Sequence, residues 1–122
     1  MFRGMLACCL LAISVSAHGE DANALAAVKK ELAEKKAILL DVREQGEWNA
    51  GHLVLAKLVP LSLLNAGKGS DGLPKDKIIY CHCRSGIRSQ RAAEILKKKG
   101  YDARSLSQGF QELVEAGFEK AK

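Results

Sequence analysis

The sequence predicts an α/β domain with a mostly parallel sheet that is covered by helices on both faces. Two nearly continuous apolar runs, at residues 38–42 and 78–80, are typical of strands buried on both sides. Segments 22–36 and 89–99 instead repeat apolar residues every three or four positions, which is the pattern of amphipathic helices. Because strands and helices alternate along the chain, a layered α/β domain is favoured.

Length and composition fit one ordinary globular domain. The chain has 122 residues, of which 48% are hydrophobic and 27% are charged. Its formal net charge of +5 supports only a weak preference for anionic partners. The Lys97–Lys99 run closes a predicted helix, where cations suit the helix dipole, so no nucleic acid is expected as a partner.

The first residues are typical of an export signal. Arg3 precedes an apolar stretch at 5–15 that is too short to span a bilayer, and a triplet of small residues ends at Ala17. We predict that residues 1–17 form a signal peptide that is removed. Residues 18–122 then form a single domain, which we expect to be exported to the periplasm without stable membrane insertion. An uncleaved anchor is the alternative.

The first half of the domain begins with a predicted flexible start at 18–23, which leads into the helix at 22–36 and the strand at 38–42. The polar segment 43–50 predicts a loop and a short helical turn, with Trp48 packed inward. The remaining elements of this half are a short strand within 55–59, a turn of helix at 61–65 and a surface loop at 66–76.

The second half contains the central strand at 77–82, a loop that starts at Cys83, a helix at 89–99, a strand at 101–106 and a last helix at 109–116. In parallel sheets, ligands bind at the carboxyl ends of the strands. Asp41 and Cys83 both stand at such ends, so the functional site is expected there.

Residues 83–88, Cys-Arg-Ser-Gly-Ile-Arg, combine a cysteine with a glycine turn and two arginines. Backbone N–H groups of a tight turn, the positive end of a helix and guanidinium groups all lower the pKa of a thiol. The same groups bind an anionic substrate beside the sulfur. The pattern therefore predicts a thiolate nucleophile in an anion-binding loop. A structural cysteine in a strand-to-helix turn is the alternative.

Three segments resemble the signatures of rhodanese-like domains. They are Asp41-Val42-Arg43-Glu44 followed by Glu47 and Gly51-His52, the loop Cys83-Arg84-Ser85-Gly86-Ile87-Arg88-Ser89, and the closing segment Gln108-Gly109-Phe110. The similarity covers roughly residues 38–117, and an exported single-domain member resembles the periplasmic type of this family. It implies a three-layer rhodanese-like fold and a thiosulfate sulfurtransferase. Sulfur would move from thiosulfate or a similar donor, through a persulfide on Cys83, to cyanide or a thiol.

The resemblance also implies roles for individual residues. Cys83 is the nucleophile, and Arg84, which directly follows it, is expected to hold the substrate anion. Arg88 begins a helix and is expected to brace the loop against Asp41 or Glu44. The remaining members of the predicted site are Ser85, Gly86 and Ile87 in the loop and Arg43, His52 and Ser89 in support.

Cys81 competes with Cys83 for the role of nucleophile. The spacing favours Cys83, because only this cysteine has a glycine three residues later and Arg-Ser five and six residues later. Cys81 is expected to be a buried small hydrophobe at the end of the strand. As a hypothesis, a strained Cys81–Cys83 disulfide, or a persulfide passed between the two sulfurs, gates the activity in an oxidising compartment.

Two other functions remain open. A phosphatase or arsenate reductase also uses Cys and Arg, but its loop is one residue longer than the four residues between Cys83 and Arg88. The second is a partner-binding or sulfur-carrier module without turnover.

For a sulfurtransferase we expect a small anionic donor such as thiosulfate, a thiol or thioredoxin-like acceptor, and a monomer. No cofactor or metal is expected. His52 is expected to be structural, and the 81–83 segment has no second ligand pair at zinc-like spacing.

Overall fold

The computed structural model describes residues 17–122, with side chains from residue 23 onward. The elements are α1 (Ala17–Ala33), β1 (Ala37–Asp41), α2 (Gln45–Ala50), β2 (Ala56–Leu58), α3 (Leu61–Asn65), β3 (Ile78–His82), α4 (Ile87–Lys98), β4 (Asp102–Ser105) and α5 (Phe110–Glu115). From β1 onward they follow the predicted order. The predicted signal peptide lies outside the described residues, apart from Ala17. Within the described range, no helix is both long and apolar enough to cross a membrane.

Helix α1 differs from the prediction at both ends. It begins at Ala17, five residues before the predicted start, so residues 18–23 are helical where a flexible start was predicted. Residues 18–23 contain only one alanine, but the helix as a whole contains six among its 17 residues, and alanine has the highest helix propensity. The helix ends at Ala33, three residues before the predicted end. Lys35 adopts a left-handed conformation with φ of 58°, which stops its propagation.

The four strands form one parallel sheet in the order β2-β1-β3-β4. β1 pairs with β3 so that Asp41 lies beside His82, and β3 pairs with β4 so that Cys81 lies beside Ser105. Parallel strands end at the same edge of a sheet, where ligands bind in this class of fold. Cys83 directly follows β3 and therefore lies at this edge, as the sequence predicted.

Strand alternation divides the core into two layers. Leu40 and Ile79 point to the face that is covered by α3 and α4. Leu39 and Tyr80 point to the opposite face, which is covered by α1 and α5. Helices on both faces of a parallel sheet make three layers, which confirms the predicted fold class.

Trp48 is not the core residue that the sequence predicted. It is half-buried on α2 and stacks on the His52 ring, with centroids 3.7 Å apart and ring planes 5° apart. Helix α2 has six residues and none of them is fully buried. The helix therefore covers the rim of the sheet rather than its centre, and its tryptophan packs on a neighbouring ring.

Candidate active site

The Cys83 sulfur lies inside the protein, at the start of the loop between β3 and α4. Its side chain is 0% exposed. The Gly86 N–H donates to Sγ at 3.0 Å, and Ser89 Oγ lies 3.6 Å from the sulfur. Ser89 is itself fully buried on the first turn of α4. An amide and a hydroxyl thus hold the predicted nucleophile at the amino-terminal end of a helix.

The thiol of Cys83 is more acidic than that of an ordinary cysteine. Burial raises its pKa, but the Ser89 hydroxyl and the backbone N–H groups of Ser89, Ser85 and Gly86 outweigh burial, so the pKa falls below its usual value. The main causes are a hydroxyl and amides, not the two guanidinium groups on which the sequence prediction also relied. A thiolate is the form of cysteine that attacks sulfur.

Gly86 allows the loop its tight shape. Its φ of 91° lies in the left-handed region that favours glycine. A Cβ at this position would also lie 3.0 Å from the carbonyl oxygen of Ser107. The loop therefore packs closely against the segment that follows β4, and the same glycine supplies the N–H that bonds the sulfur.

Gly109 makes the second close contact between these segments. A Cβ at Gly109 would overlap the Arg84 carbonyl group. The Phe110 N–H donates to the Cys83 carbonyl at 2.9 Å, which joins the two segments at the backbone of the nucleophile. The segment 107–110 therefore fixes the conformation of the loop from the side.

Arg88 braces the loop against α2. Its Nη1 and Nη2 donate to Glu47 Oε1 and Oε2 at 2.5 and 2.8 Å, which makes a bidentate pair. This bond lowers the pKa of Glu47 to about 2. The predicted partners of Arg88, Asp41 and Glu44, are wrong. Both carboxylates are bonded elsewhere, and α2 presents Glu47 to the start of α4.

Arg84, Ser85 and Ile87 are the exposed members of the loop, and Ile87 is 73% exposed. Beside the loop is an open cavity of about 340 Å³. Its lining residues are Arg43, Glu47, Ala50, Arg84, Phe110 and Gln111. Arg84 thus offers positive charge to an anion at the mouth of the site, whereas Arg43 is buried and paired with Asp41.

Asp41 and Arg43 form a buried ion pair where β1 ends. Asp41 Oδ1 accepts the Arg43 backbone N–H and Nε–H, both at 3.0 Å, and Oδ2 accepts Nη2–H at 2.7 Å. Arg43 Nη2 also donates to the Gly51 carbonyl at 2.7 Å, and the guanidinium lies 4.3 Å from the centre of the Phe110 ring. Asp41 bonds backbone and arginine groups, and the pair ties β1 to the turn at Gly51 and to α5.

His82 lies beside Asp41 in the sheet and has no exposed surface. Its Nδ1 is 3.4 Å from the Cys83 carbonyl oxygen, and its Nε2 is 3.8 Å from Asp41 Oδ2. Burial lowers the pKa of His82, although Asp41 opposes this effect. The imidazole is therefore neutral at neutral pH, and it does not line the cavity beside the loop.

His52 and Glu44 support the rim and do not contact the Cys83 sulfur. His52 Nδ1 lies 3.1 Å from the Trp48 carbonyl oxygen, in keeping with a structural histidine. Glu44 accepts hydrogen bonds from the Ser62 N–H at 3.3 Å and the Ser62 hydroxyl at 2.8 Å, which ties the start of α2 to α3. Within the described part of the chain, no three His, Cys, Asp or Glu side chains are close enough to hold a metal ion.

Cys81, the competing cysteine, is fully buried in the layer of core beneath α4. Burial raises the pKa of its thiol to about 12, so the thiol stays protonated at neutral pH. Cys81 and Cys83 are both free thiols in this structure. Their surroundings favour Cys83 as the nucleophile, and the bridge or shuttle between the two sulfurs stays a prediction.

Three residues that shape the site were not among the predicted site residues. Glu47 belongs to the first rhodanese-like signature, which could have marked it as a site residue. Its bond to Arg88, 41 positions later, could not be predicted from the sequence. Gly109 stood in the closing segment, and a glycine there signals a close approach of backbone. Ser105 donates to Ser89 Oγ at 2.8 Å, and nothing in the sequence marks this serine.

The fold and this loop define a class of protein: a parallel α/β domain that holds a cysteine among amide and hydroxyl donors at the carboxyl edge of its sheet. The family model for the rhodanese-like domain matches residues 24–116. The chain belongs to the rhodanese-like domain family.

Three relatives show how far the similarity extends. The probable adenylyltransferase/sulfurtransferase MoeZ of Mycobacterium tuberculosis is 41% identical over 76 residues, which are 62% of this chain and 19% of MoeZ. The thiosulfate sulfurtransferase GlpE of Coxiella burnetii is 32% identical over 83 residues, which are 66% of this chain and 76% of GlpE. The crystal structure of a rhodanese-related protein from Thermoplasma volcanium is similar with a TM-score of 0.68 at 28% identity, covering 79% of this chain and 92% of that one. The match thus spans about a fifth of MoeZ but most of the other two.

Proposed function

We propose that the protein is a sulfurtransferase that carries sulfane sulfur as a persulfide on Cys83. The observation that carries this proposal is the Gly86 N–H bond to Sγ, in a loop whose amides and Ser89 hydroxyl lower the pKa of the thiol. Membership of the rhodanese-like family supports it, as do the sulfurtransferase names of MoeZ and GlpE.

In the first half-reaction, the Cys83 thiolate attacks the outer sulfur of thiosulfate. A new S–S bond forms on Cys83, the S–S bond of thiosulfate breaks, and sulfite leaves with its electron pair. Arg84, which follows the nucleophile and lines the adjoining cavity, attracts the anion. The amides that stabilise the thiolate also stabilise the persulfide anion, because both place negative charge in the same loop.

In the second half-reaction, cyanide or a thiolate attacks the outer sulfur of the persulfide, and Cys83 leaves as a thiolate. A thiol of lowered pKa is a better leaving group, so the same surroundings serve both steps. The lowered pKa of Cys83 favours the thiolate, so the proposed steps include no general base. This agrees with the positions of His52 and His82, which bond backbone carbonyls rather than the sulfur.

The enclosure of Cys83 bears on the choice of donor. Because its side chain is 0% exposed, the groups around the sulfur must move apart to admit a substrate. A small donor such as thiosulfate needs less displacement than a bulky one. The exposed guanidinium of Arg84 beside the loop adds a preference for an anion. We therefore propose a small anionic sulfur donor, with cyanide or the thiol of a thioredoxin-like protein as acceptor.

Intact mass spectrometry after incubation with thiosulfate tests the sulfur transfer. The wild-type protein is expected to gain the mass of one sulfur atom and to release sulfite in turnover with cyanide, whereas Cys83→Ser gains nothing. Cys81→Ser is the matched control and is expected to load normally, with circular dichroism confirming that both variants are folded. A wild-type protein that takes up no sulfur contradicts the proposal. Loading with turnover only on a protein thiol identifies a sulfur carrier instead.

We also propose that residues 1–17 direct export to the periplasm, on the strength of the apolar stretch and the small residues before His18. Expression of the full chain in a bacterial host, followed by periplasmic extraction and N-terminal sequencing, is expected to recover protein that begins at His18. Recovery of the intact N-terminus in the membrane fraction would support the uncleaved anchor.

A further inference from the structure

A line of hydrogen bonds leads from the end of β4 to the Cys83 sulfur. Ser105 Oγ donates to Ser89 Oγ at 2.8 Å, and Ser89 Oγ lies 3.6 Å from Cys83 Sγ. Ser105 is half-buried and Ser89 is fully buried. The three side chains come from β4, α4 and the end of β3, so their alignment depends on the packing of three elements.

The protons around Ser89 Oγ can be counted. A serine hydroxyl has one proton to donate and two acceptor sites. Ser89 Oγ lies 2.9 Å from the Gly86 carbonyl oxygen and 3.3 Å from the Leu106 carbonyl oxygen, and neither carbonyl can donate. Among the described residues, the donors to Ser89 Oγ are therefore the Cys83 thiol and the Ser105 hydroxyl.

Loss of the Cys83 proton changes this count. The thiolate no longer donates to Ser89 and becomes an acceptor for its proton. The Ser105 hydroxyl then remains as the donor to Ser89 Oγ. The alternative acceptor for Ser105, the Leu106 carbonyl, is more distant at 3.4 Å. A hydroxyl that accepts a hydrogen bond donates its own more strongly, so Ser105 strengthens the bond from Ser89 to the sulfur.

We propose that Ser105 is a positioning residue for the thiolate of Cys83: its hydroxyl donates to Ser89 Oγ and strengthens the hydrogen bond that Ser89 donates to the thiolate. The inference rests on the proposed role of Cys83 as the nucleophile. It adds to the site a residue of β4 that contacts neither the sulfur nor the substrate.

The charged and titratable groups near Cys83 act from other directions. Cys81 of β3 faces the same core layer, and Arg88 of α4 is paired with Glu47 of α2. His82 lies on β3 beside Asp41, next to Cys83. The segment 105–110, which packs against the loop, contains no titratable side chain. Any effect of Ser105 on the thiol is therefore exerted through a hydrogen bond, while the two charged residues of β4, Asp102 and Arg104, are exposed and paired with each other.

The pH dependence of Cys83 alkylation tests the inference. The full chain carries Cys81→Ser, so that Cys83 is the only cysteine in the tryptic peptide Ile78–Arg84, and iodoacetamide modification of that peptide is followed by mass spectrometry. Ser105→Ala is expected to move the midpoint of the rate profile to higher pH and to slow alkylation below the midpoint about threefold, because a neutral hydrogen bond has a modest effect. Ser105→Thr keeps the hydroxyl and is expected to restore the profile. Ser107→Ala, an exposed serine of the same segment, is expected to leave it unchanged.

The pH–rate profile of Cys83 alkylation distinguishes loss of the Ser105 hydrogen bond from distortion of the loop. A distorted loop changes the plateau rate at high pH, whereas loss of the Ser105 bond moves the midpoint. If iodoacetamide reaches the buried sulfur too slowly, the ultraviolet absorbance of the thiolate, taken as the difference from Cys83→Ser, gives the same midpoint. An unchanged midpoint in Ser105→Ala overturns the inference. Alkylation needs no sulfur donor, so a protein that loads no sulfur from thiosulfate but shows the shift refutes the sulfurtransferase proposal alone.

Discussion

Replacement of Gly109 by alanine tests whether the segment after β4 sets the geometry of the Cys83 loop. An added Cβ would lie 1.7 Å from the Arg84 carbonyl oxygen and 2.5 Å from the carbonyl carbon, whereas real Cβ atoms essentially never approach another heavy atom within 3.0 Å. The difference between 3.0 and 1.7 Å is 1.3 Å, so the two segments must separate by more than 1 Å. The separation lengthens the bond from the Phe110 N–H to the Cys83 carbonyl, which is 2.9 Å in the wild type. A misplacement of about 1 Å can lower a rate about 100-fold. Gly109→Ala is therefore expected to lower kcat/KM for thiosulfate by about that factor.

Gly46→Ala is the matched control for this prediction, because nothing lies within 4 Å of a Cβ added there. Gly46 is an exposed residue of α2, where alanine is expected to be neutral or to stabilise the helix by up to about 1 kcal/mol. Overpacking at Gly109 is expected to cost about 1–3 kcal/mol, with a fall in Tm of about 4–8 °C for each kcal/mol. Steady-state kinetics with thiosulfate and cyanide, and thermal melts, measure both effects. A Gly109→Ala protein with wild-type kcat/KM and Tm would refute the reasoning.

Three further results are expected. Arg84→Ala should raise KM for thiosulfate about tenfold, as expected for a lost charged contact, while Arg91→Ala, on the exposed side of α4, should not change it. Initial-rate kinetics measure the KM for thiosulfate of both variants. An unchanged KM in Arg84→Ala would show that another group binds the anion. Cys81→Ser should keep both sulfur transfer and its response to oxidants, because the Cys81 thiol, with a pKa of about 12, stays protonated. A lost oxidant response would establish a bridge between the two cysteines. Glu47→Gln should be less stable than the wild type at neutral pH, and the difference should close as the pH falls from about 4.5 toward 2. The pKa of Glu47 is lowered from 4.5 to about 2, so its pair with Arg88 stabilises the fold above that window and is lost through it. Urea unfolding at each pH measures the difference in the free energy of unfolding between the two proteins. A difference that stays undiminished at pH 2 would show that the Glu47 charge is not its cause.

The parts of the fold that could be predicted are those set by neighbouring residues. The apolar run of β3, Cys83, Gly86 and the helix that follows are adjacent in the sequence. Their periodicity and turn residues therefore place strand, loop and helix to within two residues of the observed bounds. The same local pattern separates Cys83 from Cys81, since the glycine turn begins three residues after Cys83.

The parts that could not be predicted depend on contacts between distant segments. From the sequence, Asp41 or Glu44 was expected as the partner of Arg88, and only the path of α2 brings Glu47 to it. Trp48 has the large apolar side chain of a core residue, but its helix, α2, lies at the rim of the sheet and has no buried residue. Ser105 lies beside Ser89 because β3 pairs with β4 and α4 packs on the sheet. The residues next to Ser105 in the sequence do not indicate either contact.

The hydrogen bond between Phe110 and Cys83 joins residues whose numbers differ by 27. The groups that bond the Cys83 sulfur itself, the Gly86 N–H and the Ser89 hydroxyl, lie within six residues of it. The sulfur is thus held by its own loop, whereas the Cys83 carbonyl is held by a distant segment. A chain that ended before Phe110 would keep the donors around the sulfur and lose the bond that fixes the backbone of the nucleophile.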